Sequence, residues 1–176
     1  MAKKHVTVCL TGDGGDELFM GYGAYDWAKR LRNPFFWNFR KHISRLLSSS
    51  PNNKFKRASH VFDCPKKNWK SHIFSQEQYL FSEAEIVNLL LKNLGSDIVN
   101  KINDKKLIDD KLKPNEAQSF FDLTNYLIDD LLVKVDRSSM YSSLEARVPL
   151  LDHRIVEFSL NLPLNYKIKN GNSKYI

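Results

Sequence analysis

The sequence is poor in the features that stabilise small secreted proteins or anchor proteins in membranes. Its 176 residues include only two cysteines, Cys9 and Cys64, which form neither a disulfide framework nor a metal-ligand spacing. No apolar run approaches the roughly 20 residues that a membrane helix needs. The apolar stretch 6–10 behind the basic start is too short for a secretory signal. These absences exclude disulfide mini-proteins and membrane spans, and they favour a single cytoplasmic domain.

Acidic residues are almost absent from 29–72, where twelve lysines and arginines accompany one acid, Asp63. The segment carries a formal charge of +11, and the rest of the chain carries −4, which together give the net charge of +7. Aromatic residues are interleaved with these cations, a mixture that also occurs in proteins that bind single-stranded nucleic acid. We favour an amphipathic segment whose cations face water, or a docking surface for an anionic substrate, because no nucleic-acid recognition motif is present.

The remaining pattern is mainly helical. A short β-branched run at 5–10 precedes a glycine-rich turn and predicts one buried strand. Helices are predicted at 16–32, 36–47, 76–94, 114–126, 131–144 and 152–160, with a polar basic tail at 165–176. A buried strand must pair, and a strand, turn and helix in succession belong to a parallel sheet. The partner strands are therefore expected outside this sequence, and the unpaired edge is expected to make the chain self-associate.

A glycine-rich acidic turn follows the predicted strand, in the segment LTGDGGDELF at 10–19. Its three glycines allow the backbone to approach an anion, and the N-terminus of the next helix adds partial positive charge. Three carboxylates in five residues would repel a phosphate unless Mg²⁺ bridged the two sets of oxygens. Spacing alone supports an acidic turn that merely caps a helix equally well, since the segment is neither a Walker loop nor a dinucleotide fingerprint.

A second segment, YLIDDLLVKVDRSSMYSSLEARVPLLDH at 126–153, places charged residues in a stretch that otherwise looks like core: Lys134, Asp136, Arg137, Glu145 and Arg147. Buried charges must be paired, so the pattern alone favours a structural ion-pair network of Glu145, Arg147 and Asp152. The tail 167–174, taken alone, is typical of a solvated basic chain end.

Together, and in this order, three segments resemble the synthetase domain of glutamine-hydrolysing asparagine synthetases. They are TGDGGDELFMGY, DDLLVKVDRSSMYSSLEARVPLLDH and KIKNGNSKYI. The family typically has SGDGGDELFGGY, then LLVKVDRASM with SLEARVPFLDH, then a lysine in K-[YH]-[LI]. The resemblance implies a helix-rich fragment of an α/β adenine-nucleotide hydrolase-like domain over 1–176, with one parallel-type strand near the N-terminus and otherwise mainly α-helix.

The resemblance also implies a reaction, the ATP-dependent amidation of a carboxylate. The carboxylate of aspartate, or of another acid such as a sugar acid, attacks the α-phosphate of ATP and releases pyrophosphate with Mg²⁺. Ammonia from a glutaminase domain then displaces AMP from the acyl-adenylate. ATP and Mg²⁺ are therefore the expected cofactors.

Family positions imply roles for particular residues. Asp13 and Lys174 are the expected catalytic residues: Asp13 faces the reacting centre and takes a proton from ammonia, and Lys174 brings a cation to the pyrophosphate. The residues expected to bind ATP or pyrophosphate are Gly12, Gly14, Gly15, Asp16, Glu17 and Arg147. Among these, Asp16 is the expected ligand of Mg²⁺.

Arg147 is further expected to pack beside the acidic turn, within one shell of Asp13, Asp16 or Glu17. Three acids on one turn need a compensating cation, and the stretch 144–151 around Arg147 is apolar. Glu145 is the competing partner, which we disfavour because neighbours in sequence rarely face each other on a helix.

The resemblance is incomplete, because the family's SGGxDS loop for ATP is absent and Ser48-Ser49-Ser50 contains no glycine to replace it. Cys9 lies inside the predicted strand and is not the N-terminal nucleophile of a glutaminase domain. The chain is therefore expected to be the C-terminal part of a synthetase domain and to be inactive alone. The alternative is a non-catalytic binding or scaffold module, while membrane and nucleic-acid partners are disfavoured.

Overall fold

The computed structural model describes residues 2–65, 69–77 and 112–176. The chain divides into two compact units, one formed by 1–22 with 119–176 and the other by 23–118. The labelled elements are β1 (Val8–Leu10), α1 (Gly15–Phe19), α2 (Ala24–Leu31), α3 (Pro34–Ser48), α4 (Asn53–Phe62), α5 (Trp69–Glu77), α6 (Pro114–Thr124), α7 (Val133–Tyr141), β2 (Glu145–Arg147), α8 (His153–Asn161), α9 (Leu164–Lys167), β3 (Ile168–Lys169) and β4 (Asn172–Ser173). Within these ranges, every helix is too short or too polar to cross a membrane.

The predicted N-terminal strand exists, shortened to β1, and it has a partner within the chain. β1 pairs in parallel with β2, in a register that sets Val8 opposite Glu145 and Leu10 opposite Arg147. The expectation that every partner strand lies outside this sequence is therefore wrong. β2 escaped prediction because a three-residue strand with a charged residue at each end shows no apolar alternation. The fold is helix-rich with a short parallel sheet, as the resemblance implies.

The helix predicted over 16–32 is two helices. α1 ends at Phe19, because Met20 adopts a left-handed conformation with φ 62° and the N–H of Gly21 returns to the carbonyl of Asp16 at 2.8 Å. A left-handed residue at this position is a common way to end a helix. α1 and α2 are therefore separate helices.

Several predicted helices are confirmed close to their expected bounds. Asn33 caps α3 by accepting a hydrogen bond from the N–H of Phe35 at 3.0 Å, with Pro34 at the first helical position. Asp152 caps α8 in the same way through the N–H of Arg154. α6 begins at Pro114 as expected, and α7 is preceded by a π-helical turn, Leu127–Leu132. The prediction of helix over 76–94 lies almost wholly outside the described residues.

The polar tail predicted at 165–176 contains a β-hairpin. β3 and β4 form an antiparallel hairpin whose turn is Asn170 and Gly171, with φ of 52° and 80°. Positive φ at both turn residues is the reason that Asn-Gly favours tight hairpins. The hairpin directs the chain to Lys174, which enters the site described below.

In the unit formed by 23–118, the basic segment has a buried side and an exposed side. Phe62 is buried and meets the half-buried Phe36, with ring centroids 6.1 Å apart. On the exposed side, the rings of Phe35 and Phe39 pack against each other with their centroids 5.1 Å apart. The amphipathic interpretation thus accounts for the buried aromatic side chains of the segment but not for Phe35, Phe39 and Phe55, which are exposed.

Arg40 on α3 is a buried cation of this segment. Its Nε donates to the carbonyl of Cys64 at 2.9 Å, and its Nη1 donates to the carbonyl of Trp37 at 2.6 Å. Its guanidinium also lies 4.4 Å from the centre of the Trp37 ring. Burial raises the pKa of the neighbouring Cys64 thiol to about 12, so this cysteine is an inert part of the packing.

Candidate functional site

The glycine-rich turn lies at the carboxyl end of β1 and leads directly into α1. The N–H of Thr11 donates to the carbonyl of Arg147 at 2.9 Å, which ties the turn to the neighbouring strand. Gly14 precedes α1 with φ 83°, and a Cβ atom there would also overlap the side chain of Leu151. This position therefore requires glycine for both its backbone conformation and the space beside it.

Asp16 and Lys174, from opposite ends of the chain, meet on this turn. The Nζ atom of Lys174 lies 2.6 Å from the Oδ1 atom of Asp16. The backbone N–H of Lys174 donates to the carbonyl of Phe19 at 3.2 Å, so both the backbone and the side chain of the tail are held against α1. Lys174 is 51% exposed, which leaves the ammonium group accessible to a ligand.

The Glu17 side chain faces the protein interior and not the solvent around the turn. Its side chain is 1% exposed, and its Oε1 atom accepts a hydrogen bond from the hydroxyl of Tyr22 at 3.1 Å. The carbonyl of Glu17 accepts a second hydrogen bond from the hydroxyl of Ser119 at 2.6 Å. Among the residues that the structure describes, none gives the buried Oε2 atom a hydrogen bond. Glu17 therefore stabilises the turn from its buried side through these hydrogen bonds. A contact between its carboxyl and a phosphate stays a prediction.

The surroundings of Glu17 favour its neutral form. Burial raises the pKa of the Glu17 carboxyl above its ordinary value, and the negative charges of Asp16 and Asp13 raise it further. Burial also raises the pKa of Tyr22, with Glu17 as the next cause, so the phenol stays a hydrogen-bond donor. The Tyr22 ring packs edge-on against Tyr126, with centroids 6.3 Å apart.

The raised pKa of Glu17 predicts a pH-dependent stability. The protonated carboxyl stabilises the fold, an effect that is complete below the ordinary pKa of 4.5 and is lost as the pH rises through the raised folded-state value. We expect the melting temperature of the parent chain to fall relative to that of Glu17→Gln as the pH rises above 4.5. Thermal melts followed by circular dichroism measure this difference.

The matched control for this prediction is Glu157→Gln, which changes an exposed carboxyl on α8 in the same unit. Its offset from the parent chain should stay constant with pH. A constant offset for Glu17→Gln as well would contradict the prediction.

The structure contradicts the expected packing of Arg147 against the acidic turn. The Arg147 side chain is 64% exposed, and its Nε atom lies 2.8 Å from the Oε1 atom of Glu145. The error came from treating 144–151 as helical core, whereas Glu145 and Arg147 lie two residues apart on a strand and so share one face. Arg147 remains beside the turn through its backbone carbonyl, and a contact between its guanidinium and a nucleotide stays a prediction.

The other charges of 126–153 are not buried. Lys134, Asp136 and Arg137 are all exposed, so the premise of a charged core in this stretch is wrong. The expected three-residue network is reduced to the Glu145–Arg147 pair, because Asp152 instead binds Arg154, with its Oδ1 2.9 Å from Nε. Hydrogen bonds from Arg154 hold the pKa of Asp152 well below its usual range.

The carboxylates of the turn suit a Mg²⁺ ion that arrives with phosphate. Within the described ranges, no group of three or more His, Cys, Asp or Glu side chains is arranged to hold a metal. Glu17 faces inward, which leaves Asp16 and the half-buried Asp13 as the accessible carboxylates of the turn. Mg²⁺ commonly binds to one or two carboxylates together with substrate phosphates. The residues therefore fit the metal as part of a metal–phosphate ligand.

Sequence reasoning missed two residues that shape this site. Tyr22 belongs to the LFMGY segment already recognised, but nothing in the pattern showed that its hydroxyl would reach Glu17. Ser119 lies 102 positions from Glu17, so only the tertiary structure brings them together. No local sequence signal could have found the Ser119 contact.

Comparison with known proteins identifies the family of this chain. The family model described as asparagine synthase matches residues 1–176. Asparagine synthetase [glutamine-hydrolyzing] 1 of Bacillus subtilis is 28% identical over 184 residues, which cover 99% of this chain and 28% of the relative. Asparagine synthetase [glutamine-hydrolyzing] 3 of the same organism is 27% identical over 175 residues, which cover 99% of this chain and 23% of the relative.

A relative from Gallus gallus, an asparagine synthetase [glutamine-hydrolyzing], is 44% identical over 52 residues, which cover 29% of this chain and 9% of the relative. No solved structure matches this chain. The chain spans roughly a quarter of the length of the two Bacillus relatives. On the match over its full length, the chain belongs to the asparagine synthase family.

Proposed function

We propose that this chain forms the pyrophosphate-binding part, over 1–176, of an ATP-dependent amide ligase. The observation that carries the proposal is the contact of 2.6 Å between Asp16 and Lys174 on the glycine-rich turn. A carboxylate and a lysine held together on a turn at the end of a parallel strand supply opposite charges to a metal–diphosphate ligand.

The proposed reaction has two steps. In the first, a carboxylate oxygen bonds to the α-phosphorus of ATP, the bond from that phosphorus to the bridging oxygen breaks, and pyrophosphate leaves. In the second, ammonia attacks the acyl carbon, loses a proton, and AMP leaves with the bonding electron pair. Both steps concentrate negative charge on phosphate oxygens, so fixed cations and N–H groups at those oxygens lower the barrier.

Each residue of the site has a defined part in this proposal. Lys174 neutralises charge on the departing pyrophosphate, and Asp13 accepts the proton that ammonia loses. Asp16 would hold Mg²⁺, which supplies Lewis-acid stabilisation of the phosphate oxygens when bound. Gly12, Gly14 and Gly15 bring the backbone close to the ligand, Glu17 supports the turn from below, and Arg147 supplies an exposed cation next to β1.

Aspartate is the proposed acceptor because the family's named relatives are asparagine synthetases, with ammonia coming from a glutaminase domain. Another carboxylate, such as a sugar acid, is the alternative, and so is a non-catalytic module that kept the site. Self-association through the outer edge of β1 stays a prediction, as does a cytoplasmic location.

The proposal predicts that the 176-residue chain binds pyrophosphate in a Mg²⁺-dependent way. Isothermal titration with magnesium pyrophosphate measures this directly. Lys174→Met should weaken binding by about tenfold or more, because a hydrogen bond to a charged group contributes about 1.5–3 kcal/mol. Asp16→Asn should remove the dependence on Mg²⁺.

Lys169→Met provides the matched control, since Lys169 is an exposed lysine of the same hairpin and lies over the Tyr175 ring. It should bind like the parent chain. Equal weakening by Lys169→Met and Lys174→Met would show only a nonspecific loss of charge, and no binding by the parent chain would refute the proposed function.

A further inference from the structure

Gly21 is a glycine whose backbone conformation does not require glycine. Among the described glycines, only Gly14 and Gly171 have a positive φ, so the backbone at Gly21 is open to residues with side chains. Its N–H group donates to the carbonyl of Asp16 at 2.8 Å, which any residue other than proline could also do. The reason for a glycine here must therefore be sought in the space around it.

The space beside Gly21 is filled by the two charged groups of the site. A Cβ atom at Gly21 would overlap the Oδ1 atom of Asp16 and the Cε atom of Lys174, and its third neighbour, at 2.7 Å, would be Cγ of Asp16. All three nearest atoms thus belong to the Asp16–Lys174 ion pair. A methyl group at this position and the ion pair cannot occupy the same volume.

We propose that Gly21 is a positioning residue: by lacking a side chain, it allows Lys174 to reach Asp16. The significance of that contact for catalysis rests on the proposed function, but the contact itself does not. Gly21 acts through the two charged side chains and touches neither pyrophosphate nor the reacting carboxylate in this assignment.

An alanine at position 21 should displace the pair without unfolding the unit. The overlapping atoms are the ends of two flexible side chains, and these can rotate away more easily than backbone can shift. The backbone bond from Lys174 to the carbonyl of Phe19 does not involve the displaced atoms. Gly21→Ala should therefore separate the charges while leaving the melting temperature near that of the parent chain.

The experiment measures the reactivity of Lys174 in the absence of any nucleotide. The parent chain, Gly21→Ala and Asp16→Ala are treated briefly with an amine-acylating reagent, and the modification of Lys174 is quantified by peptide mass spectrometry. A partly exposed ion pair contributes up to about 1 kcal/mol, so its loss should speed modification by up to about fivefold. Gly21→Ala should match Asp16→Ala, and the double variant should show no further increase.

Two controls keep this result specific. Lys169 in the same molecules should react at one rate in all variants, since it does not contact the pair. Asn165→Ala should leave the Lys174 rate at the parent value, because it changes an exposed, uncharged side chain of the same unit outside the ion pair. The proposal is overturned if Lys174 in Gly21→Ala reacts as in the parent chain, or if Gly21→Ala melts far below Asp16→Ala.

This outcome is separate from the test of the proposed function. Faster Lys174 modification in Gly21→Ala supports the positioning role even if the parent chain fails to bind magnesium pyrophosphate. Tight pyrophosphate binding with unchanged Lys174 reactivity in Gly21→Ala would support the function and refute the positioning role.

Discussion

The 176-residue chain is expected to form no asparagine, AMP or pyrophosphate when supplied with ATP, Mg²⁺, aspartate and ammonia. The sequence contains no SGGxDS loop, and the proposed site accounts for the diphosphate end of the nucleotide. Without contacts to the adenosine and α-phosphate, the attacking carboxylate is not held in line with the bond that breaks. Product formation should stay at the level of a protein-free blank.

Radiolabelled ATP separated by thin-layer chromatography provides a sensitive measurement of AMP. Asp16→Ala is the control that distinguishes a contaminating phosphatase from the chain itself. AMP and pyrophosphate released in equal amounts by the parent chain, and abolished in Asp16→Ala, would contradict the expectation and show that the chain holds a complete site.

A second large effect is expected at Arg40, where substitution by methionine should destabilise the unit that contains α3 and α4. Arg40→Met removes the donor to the buried carbonyl of Cys64, the additional hydrogen bond to the helical carbonyl of Trp37 and the contact with the Trp37 ring. An unsatisfied buried acceptor costs about 1–3 kcal/mol and the other lost contacts add to it, so we expect a loss of about 2–4 kcal/mol in the free energy of unfolding. Urea unfolding followed by tryptophan fluorescence measures it.

Arg45→Met provides the comparison for Arg40→Met, since Arg45 is an exposed arginine of the same helix. Its substitution should change the free energy of unfolding by less than about 0.5 kcal/mol. Similar losses for the two variants would indicate that helix propensity or net charge, rather than the buried hydrogen bonds, sets the stability.

The elements that could be predicted from the sequence are those whose signals are local. The helices predicted at 36–47 and 152–160 appear as α3 and α8, and their caps, Asn33 and Asp152, each accept a hydrogen bond from a backbone N–H two residues away. The pairing of β1 with β2 joins segments more than 130 positions apart, and no periodicity within either segment reports it. The break at Met20 depends on a left-handed conformation that methionine itself does not favour.

The same distinction applies to the candidate site. The motif positions predicted that Asp16 and Lys174 serve one site, and the structure brings them within 2.6 Å. For Arg147 the motif predicted a neighbourhood but not a partner, because the choice between Glu145 and the turn depended on whether the segment was helix or strand. The inward orientation of Glu17 was equally beyond reach, since five consecutive motif residues do not reveal which side chains face the core.

The hairpin that delivers Lys174 gives the acidic turn a charge that depends on local opening. β3 and β4 contribute two residues each, and such small elements open at a far lower free energy than a packed core. Each opening withdraws the ammonium group and exposes the Asp16 carboxylate, so closed and open hairpins present sites that differ by one positive charge. The Asn170-Gly171 turn helps to set the closed fraction, and it therefore helps to set how often Lys174 and Asp16 are presented together to a ligand on this turn.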